Sequence, residues 1–238
     1  MKAVILAGGK GTRLMPYTAF VPKPLMPVGD MPILELLLRQ LKSYGVDEVI
    51  LAVNHLHHLI RAFFGDGSDI GLKLSYELED RPLGTSGPIA ACLDRLPEEF
   101  LVSNGDLLTT LNFSAMMRAH RESGAAATVA THQRSIQVEF GALSIDEHGA
   151  IQEYREKPTL NFDACIGMYV LSKTAVKPLL PLGEYLDMPD LIRGLISRGD
   201  TVRSYSEECT WIDIGQPKDY ALAQERFMTE RSFFLPHE

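Results

Sequence analysis

The first 28 residues, MKAVILAGGKGTRLMPYTAFVPKPLMPV, constrain this chain most. Ala3-Val4-Ile5-Leu6-Ala7 is a short apolar run that ends at glycines, the pattern of a strand buried on both faces of a sheet. Gly8, Gly9 and Gly11 lack side chains, so the chain beyond that strand can turn sharply and bring its amides against phosphate oxygens. Arg13 adds a planar fork of donors suited to phosphate, and Lys23 adds a second positive charge. Two familiar loops are excluded. A Walker loop needs Gly-Lys followed by Ser or Thr, whereas Lys10 is followed by Gly11, and the Rossmann fingerprint needs a glycine where Leu14 stands. The glycines by themselves balance phosphate binding evenly against plain relief of backbone strain. Arg13, Lys23 and the segment Pro22-Lys23-Pro24-Leu25-Met26-Pro27-Val28 tip that balance. Its prolines fix local dihedrals and withhold donors, so Lys23 is expected in an extended segment rather than a helix.

With 238 residues and 45% hydrophobic content, the chain can bury one substantial core, and its length fits a single domain. A formal charge of -8 argues against a nucleic-acid or anionic-membrane binder, because such a surface repels phosphate-rich polymers. Cys92, Cys165 and Cys209 are far apart and lack metal-ligand spacing, which reads as reduced thiols. No run approaches bilayer-spanning length, and Met1 leads straight into a strand without a charged leader and apolar region. The expected compartment is the cytoplasm.

Along the chain, residues 33–41 form a largely buried helix ending near Gly45, residues 48–53 a buried strand, and residues 55–64 a helix. Strand-helix alternation indicates an α/β layered fold. His55, His57 and His58 lack helical metal-ligand spacing and are left out of the site. A strand at 73–76 leads to a loop in which Gly84 and Gly87 permit close backbone approach, and Ser86 and Pro88 can start a helix toward Leu96. Residues 100–103 form a strand that ends at Asn104-Gly105-Asp106. A carboxylate just beyond a strand's carboxyl end sits where open α/β sheets bind ligands and suits Mg²⁺, although Asn-Gly-Asp is also a common turn.

Residues 112–124 read as a helix and 126–131 as a strand. Residues 138–145 and 150–155 then alternate around Asp146-Glu147-His148-Gly149, a hairpin of an antiparallel lobe. His132 and His148 fall at loop edges and face solvent. Residues 164–171 form a strand interrupted by Gly167, which marks a bulge or a ligand against the backbone. Helices at 173–180 and 188–198, a strand at 201–205, a last helix after Pro217 and a short tail from Ser232 complete the chain.

Gly8-Gly9-Lys10-Gly11-Thr12-Arg13-Leu14-Met15-Pro16-Tyr17-Thr18 followed by Pro22 to Val28 resembles the unbroken signature of the sugar-1-phosphate nucleotidylyltransferases, or nucleotide-sugar pyrophosphorylases. The resemblance implies a Rossmann-like three-layer α/β sandwich with a mixed central sheet and a smaller antiparallel lobe for the sugar. It divides the single domain into a mainly nucleotide-binding half (1–131) and a mainly sugar-phosphate-binding half (132–238), with no room for the C-terminal β-helix of many members. Pro82-Leu83-Gly84-Thr85-Ser86-Gly87-Pro88 is similar to the base-reading loop of the mannose-1-phosphate guanylyltransferase branch, whereas thymidylyl members tend to have a glutamine there.

What this resemblance implies for the site is specific. Leu6, Ala7, Gly8, Gly9, Gly11, Thr12, Arg13, Glu79, Pro82, Gly84 and Thr85 bind the nucleotide. Lys23, Gly141, Glu156, Lys157 and Gly167 bind the sugar phosphate, while Asp106 and Asp213, the latter in Trp211-Ile212-Asp213-Ile214-Gly215, hold Mg²⁺. Arg13, Lys23, Asp106 and Asp213 carry a direct displacement on the α-phosphorus that needs no covalent intermediate. The small-molecule substrates are a nucleoside triphosphate and a sugar 1-phosphate, with GTP and mannose 1-phosphate expected, and symmetric homo-oligomers are the default state. Two alternatives stay open at this point: the same chemistry with UTP or dTTP and another sugar 1-phosphate, and a non-catalytic sensor of nucleotide sugars.

Overall fold

A computed structural model of the chain describes residues 1–9, 11–215 and 217–235. Lys10, Gln216 and the part of the expected tail beyond Leu235 lie outside the described residues. The strands are β1 (Lys2–Leu6), β2 (Pro27–Val28), β3 (Met31–Pro32), β4 (Glu48–Val53), β5 (Lys73–Leu78), β6 (Glu99–Asn104), β7 (Leu107–Thr109) and β8 (Ala127–Gln137), followed by β9 (Ala142–Ile145), β10 (Ile151–Arg155), β11 (Thr159–Ser172), β12 (Val202–Tyr205) and β13 (Trp211–Asp213). The helices are α1 (Ile33–Ser43), α2 (His57–Phe64), α3 (Gly87–Cys92), α4 (Phe113–Ser123), α5 (Lys173–Val176), α6 (Met188–Ser197) and α7 (Pro217–Phe234).

Seven strands form the central sheet in the order β12-β8-β11-β6-β1-β4-β5. β1 runs parallel to β4 and β6, and β4 to β5, while β11 pairs antiparallel with β6 and β8. The sheet is therefore mixed, as expected. Alternation along β1 builds the layers: Ala3 and Ile5 face Leu34, Leu37, Leu38 and Leu41 of α1 and Phe113 and Met116 of α4. Val4 faces Ile89 of α3 and Leu191 and Leu195 of α6 on the other side. Because both faces are covered, the central strands carry no polar alternation.

α4 has the ends its sequence suggests. Asn112 Oδ1 accepts the backbone N–H of Ala115 at 2.9 Å, and Gly124 closes the helix at φ 59°. The helix at 87 differs in detail, since the Ser86 side chain makes no cap and its hydroxyl points at Met188 Sδ (3.6 Å) instead. His132 is not at a loop edge but inside β8, half-buried, with its ring 5.8 Å from that of Trp211. β9 starts only at Ala142, so the first part of the expected strand at 138 is loop. The cysteines are free thiols: Cys92 is buried and its thiol is pushed up to about 12 by desolvation, Cys165 is exposed, and Cys209 is intermediate.

The tail expected from Ser232 is corrected. Ser232 to Phe234 belong to α7, and Phe234 is fully buried with Phe227, Leu36, Ile212 and Leu108. Gln40 Nε2 donates to the Phe234 carbonyl at 2.8 Å, tying α7 to α1. Burial of a phenylalanine side chain contributes about 1.5–3 kcal/mol, enough to hold a helix end against fraying. α7 thereby braces β7 and β13, whose pairing builds the site below. No helix among the described residues is long and apolar enough to cross a membrane.

His120 of α4 gives the core a dependence on pH. Ser172 Oγ donates to the Ala125 carbonyl, so His120 Nε2 must donate to Ser172 Oγ (3.1 Å), and the Thr128 hydroxyl serves Nδ1 (2.8 Å). Desolvation of this buried ring lowers its pKa below the ordinary value of about 6.5. For a histidine whose folded pKa is depressed, its stabilising contribution is fully present above the unfolded value. That contribution is lost as pH falls from the unfolded value through the folded one. We expect the melting temperature to drop on going from pH 7 to pH 5, and the drop to shrink in His120→Gln. An identical pH slope in the variant would contradict this assignment.

Candidate active site

β1, β4 and β6 end side by side, and their carboxyl ends open into the site. Ala7 N–H donates to Ala52 O (2.8 Å) and Gly105 N–H to Leu6 O (2.9 Å), which locks the three strand ends together. The glycine loop then turns through Gly11, at φ 62°, where the Thr18 hydroxyl donates to the Gly11 carbonyl at 2.8 Å. A Cβ on Gly11 would meet Thr18 Cγ2 at 2.9 Å, so glycine is required there by both backbone angle and space.

Two cavities flank these strand ends. The larger, about 450 Å³, is lined by Leu6, Ala7, Gly8, Gly9, Lys23, Asn54, Glu79, Pro82, Leu83, Gly84, Thr85, Pro88, Asn104, Asp106 and Tyr185, among others. The second, about 310 Å³, is lined by Arg13, Asn104, Asp106, Leu107, Cys165, Ile166, Gly167, Tyr169, Trp211 and Asp213. Asn104 and Asp106 belong to both, so the cavities join at the end of β6. Each cavity takes residues from both halves of the chain. Thr12 is exposed on the loop and lines neither.

Asp106 and Asp213 come together through β7 and β13. Their antiparallel register sets Asp213 opposite Leu107, the neighbour of Asp106. Desolvation first, then the Asp106 charge, push the Asp213 carboxyl above its usual range, against opposing attraction from Lys23 and Arg13. Lys23, 9% exposed, forms an ion pair with Asp106 Oδ2. Its backbone is not the extended segment expected from the prolines. Lys23–Leu25 is a single 3-10 turn, closed by hydrogen bonds from Leu25 N–H to Pro22 O and from Met26 N–H to Lys23 O. Pro24 tolerates this because the first amides of a short turn need no partner. A Cβ on Gly215 would lie 3.0 Å from Asp213 Oδ2 and 3.4 Å from an Arg13 guanidinium nitrogen, which makes Gly215 a site residue that motif reading missed.

A divalent metal fits this donor set. Two carboxylates face one cavity, and among the described residues no third histidine, cysteine or acid joins them into a cage. Two hard oxygen ligands with room for water and phosphate oxygens suit Mg²⁺, which dehydrates reluctantly and relies on substrate for the rest.

Glu79 follows the end of β5 and faces the larger cavity. Leu83 N–H donates to Glu79 Oε2 at 3.0 Å, and a Cβ on Gly8 would meet Glu79 Oε1 at 2.9 Å. Burial raises its carboxyl above the usual range, while the Leu83 amide pulls the other way. Gly84 and Gly87 permit close approach, as expected, and the partner is the chain itself. A Cβ on Gly84 (φ 78°) would meet the Leu186 carbonyl at 2.5 Å, and one on Gly87 would meet the Glu184 carbonyl at 2.7 Å. These glycines admit the chain's own backbone.

Gly167, at φ 81°, sits in a register shift of β11 between Cys165 and Tyr169 and packs against the Asn104 side chain at the junction of the cavities. The other three expected sugar-phosphate residues are placed elsewhere. Gly141, Glu156 and Lys157 line neither cavity and lie exposed on the β9–β10 lobe and the turn after it. A Cβ on Gly141 would meet the Tyr154 hydroxyl at 2.5 Å, and that hydroxyl donates to Glu156 Oε2 at 2.7 Å. Lys157 adopts φ 43°, an angle that costs a non-glycine residue about 1–2 kcal/mol.

The mixed seven-stranded sheet with helices on both faces is the nucleotide-diphospho-sugar transferase fold. A family model described as Nucleotidyl transferase matches residues 2–230, and the chain belongs to that family. It is 33% identical over 225 residues to mannose-1-phosphate guanylyltransferase of Mycobacterium tuberculosis, covering 92% of this chain and 62% of that protein. It is 31% identical over 239 residues to UTP–glucose-1-phosphate uridylyltransferase of Synechocystis, covering 92% and 61%. The chain thus spans about three fifths of the length of these curated relatives. Among solved structures, HddC from Yersinia pseudotuberculosis superposes with a TM-score of 0.75 at 26% identity, covering 95% of this chain and 99% of that one. A complex of HddC with GMP-PN gives 0.74 at 25% identity.

Proposed function

We propose that this chain transfers a nucleoside monophosphate from a nucleoside triphosphate to a sugar 1-phosphate and releases pyrophosphate, with GTP as donor and a manno-configured sugar 1-phosphate as acceptor. The observation that carries the reading is the junction of two cavities at Asp106, with Asp213 across it and Lys23 and Arg13 on either side. A transfer between two bound phosphates needs such a junction, because both must meet in line while their charges repel.

In this reading the larger cavity takes the donor. Gly8 and Gly9 line that cavity and would brace the triphosphate, and Arg13, which lines the second cavity, would reach the phosphates from the junction. An oxygen of the acceptor phosphate forms a bond to the α-phosphorus as the bond from that phosphorus to the oxygen bridging to the β-phosphate breaks, and pyrophosphate departs with that electron pair. Asp106 and Asp213 would hold Mg²⁺, which supplies neutralisation of phosphate charge. Lys23 holds the acceptor phosphate at the junction. Gly167 borders the space for the sugar ring in the second cavity, and Glu156 and Lys157, which line neither cavity, would reach the acceptor from the lobe. The unfavourable backbone of Lys157 supports such a role, since strain of this kind collects at ligand clamps.

Glu79 supports guanine. Its carboxylate can accept both N1–H and N2–H of a guanine edge, whereas uracil and thymine offer a single ring N–H there. The relatives include guanylyl- and uridylyltransferases, and HddC has been solved with GMP-PN, so they are compatible with guanine and the choice of base rests on Glu79. The test is pyrophosphate release across a grid of GTP, ATP, UTP, CTP and dTTP against sugar 1-phosphates. Higher kcat/KM with UTP or dTTP than with GTP for every acceptor would defeat the guanylyl assignment and leave the transfer chemistry standing.

A further inference from the structure

We propose that Tyr185 covers the base of the donor nucleotide, an inference that rests on reading the larger cavity as the donor site. Tyr185 lies in the half of the chain assigned to the sugar, yet it lines this cavity together with Glu79, Pro82, Gly84 and Thr85. Tyr185 is 63% exposed, so it adds little to the fold, and its hydroxyl donates to Asp187 Oδ2 at 2.6 Å. A large, mostly exposed aromatic side chain is thus held at a cavity wall.

The segment carrying Tyr185 is fixed to the base loop from both sides. Ser86 N–H and Gly87 N–H donate to Leu186 O (2.8 and 3.2 Å), and Leu186 N–H donates to Leu83 O (3.0 Å). Thr85 N–H donates to Asp187 Oδ1 at 3.0 Å, and Met188 N–H donates to Thr85 Oγ1 at 2.6 Å. Gly84 and Gly87 are the residues that let these backbones touch. Asp187 therefore holds the loop with one carboxylate oxygen and the tyrosine with the other. The seam gives Tyr185 the rigidity that a stacking surface needs, since the ring is already ordered before a base arrives. Any planar heterobase presents a π face, so Tyr185 supplies affinity while Glu79 reads the edge.

Calorimetric titration of the wild type, Tyr185→Ala and Tyr185→Phe with GTP, UTP and inorganic tripolyphosphate tests this, with steady-state kinetics alongside. Tyr185→Ala is expected to weaken nucleoside triphosphate binding about tenfold, raising donor KM with kcat and acceptor KM little changed, while Tyr185→Phe stays within about twofold. Tripolyphosphate, which has no base, should bind all three proteins alike. Equal nucleotide affinity in the wild type and Tyr185→Ala overturns the inference and leaves the donor site intact. Parallel loss of tripolyphosphate, or a Phe variant as weak as the Ala variant, also overturns it by showing a structural latch. A wild type that binds neither nucleotide overturns the donor-site reading itself.

Discussion

Asp106→Asn and Asp213→Asn each lower kcat by about a hundredfold or more, while the melting temperature is unchanged or rises. The fall in rate follows from removing a hard anionic ligand at the point where phosphate charge must be neutralised, an effect worth several kcal/mol. The direction in stability follows from the crowding of the two carboxylates. Desolvation and Asp106 both raise the Asp213 carboxyl, so the metal-free protein bears unfavourable charge at that position. Removing it relieves repulsion without opening a cavity. Asp106→Asn also strips Lys23 of its ion-pair partner, which offsets the relief, so its melting temperature should stay near the wild type and below that of Asp213→Asn. Steady-state turnover and thermal melts in chelator measure both quantities. A normal kcat in either variant would place the metal elsewhere, and a large loss of melting temperature would make the aspartates structural.

Glu79→Gln lowers kcat/KM for GTP by about a hundredfold and for UTP by far less. A carboxylate that accepts two hydrogen bonds is replaced by an amide that accepts from one side and turns an N–H toward a guanine N–H on the other. Hydrogen bonds to charged groups contribute about 1.5–3 kcal/mol, and a mispaired buried donor adds to the loss. The backbone should tolerate the change, because the Leu83 amide still finds the side-chain carbonyl oxygen within reach. The ratio of the two kcat/KM values is the readout. Equal losses for GTP and UTP would mean that Glu79 supports the loop and does not read the base.

Much of the architecture was legible because it is local. The 3-to-7 apolar run, the strand at 48–53 and the Asn112 to Gly124 helix carry their own period and end signals, and the structure follows them closely. Glycines were legible as positions of close approach, but not which partner approaches. Gly84 and Gly87 meet the backbone of residues 184 to 186, far along the chain, and nothing within the loop encodes that. The same limit hid β13, three residues long and too short to show a period, although its pairing with β7 brings Asp213 to Asp106. Lys23 was misread as extended because proline preferences describe single residues, and a one-turn helix satisfies them as well. The buried end of α7 was missed because Phe233 and Phe234 straddle the helix face, one exposed and one in the core. Tyr185 carried one usable signal, an aromatic set in a loop beside Pro181 and Gly183.

Metal-dependent nucleotidyl transfer is measured most directly as pyrophosphate release from GTP by the purified protein with Mg²⁺, with and without mannose 1-phosphate, and again in excess chelator. Release is expected in equal amount to nucleotide sugar formed, only when both Mg²⁺ and a sugar 1-phosphate are present. Pyrophosphate released at the same rate in chelator, or with water as the acceptor, would contradict it.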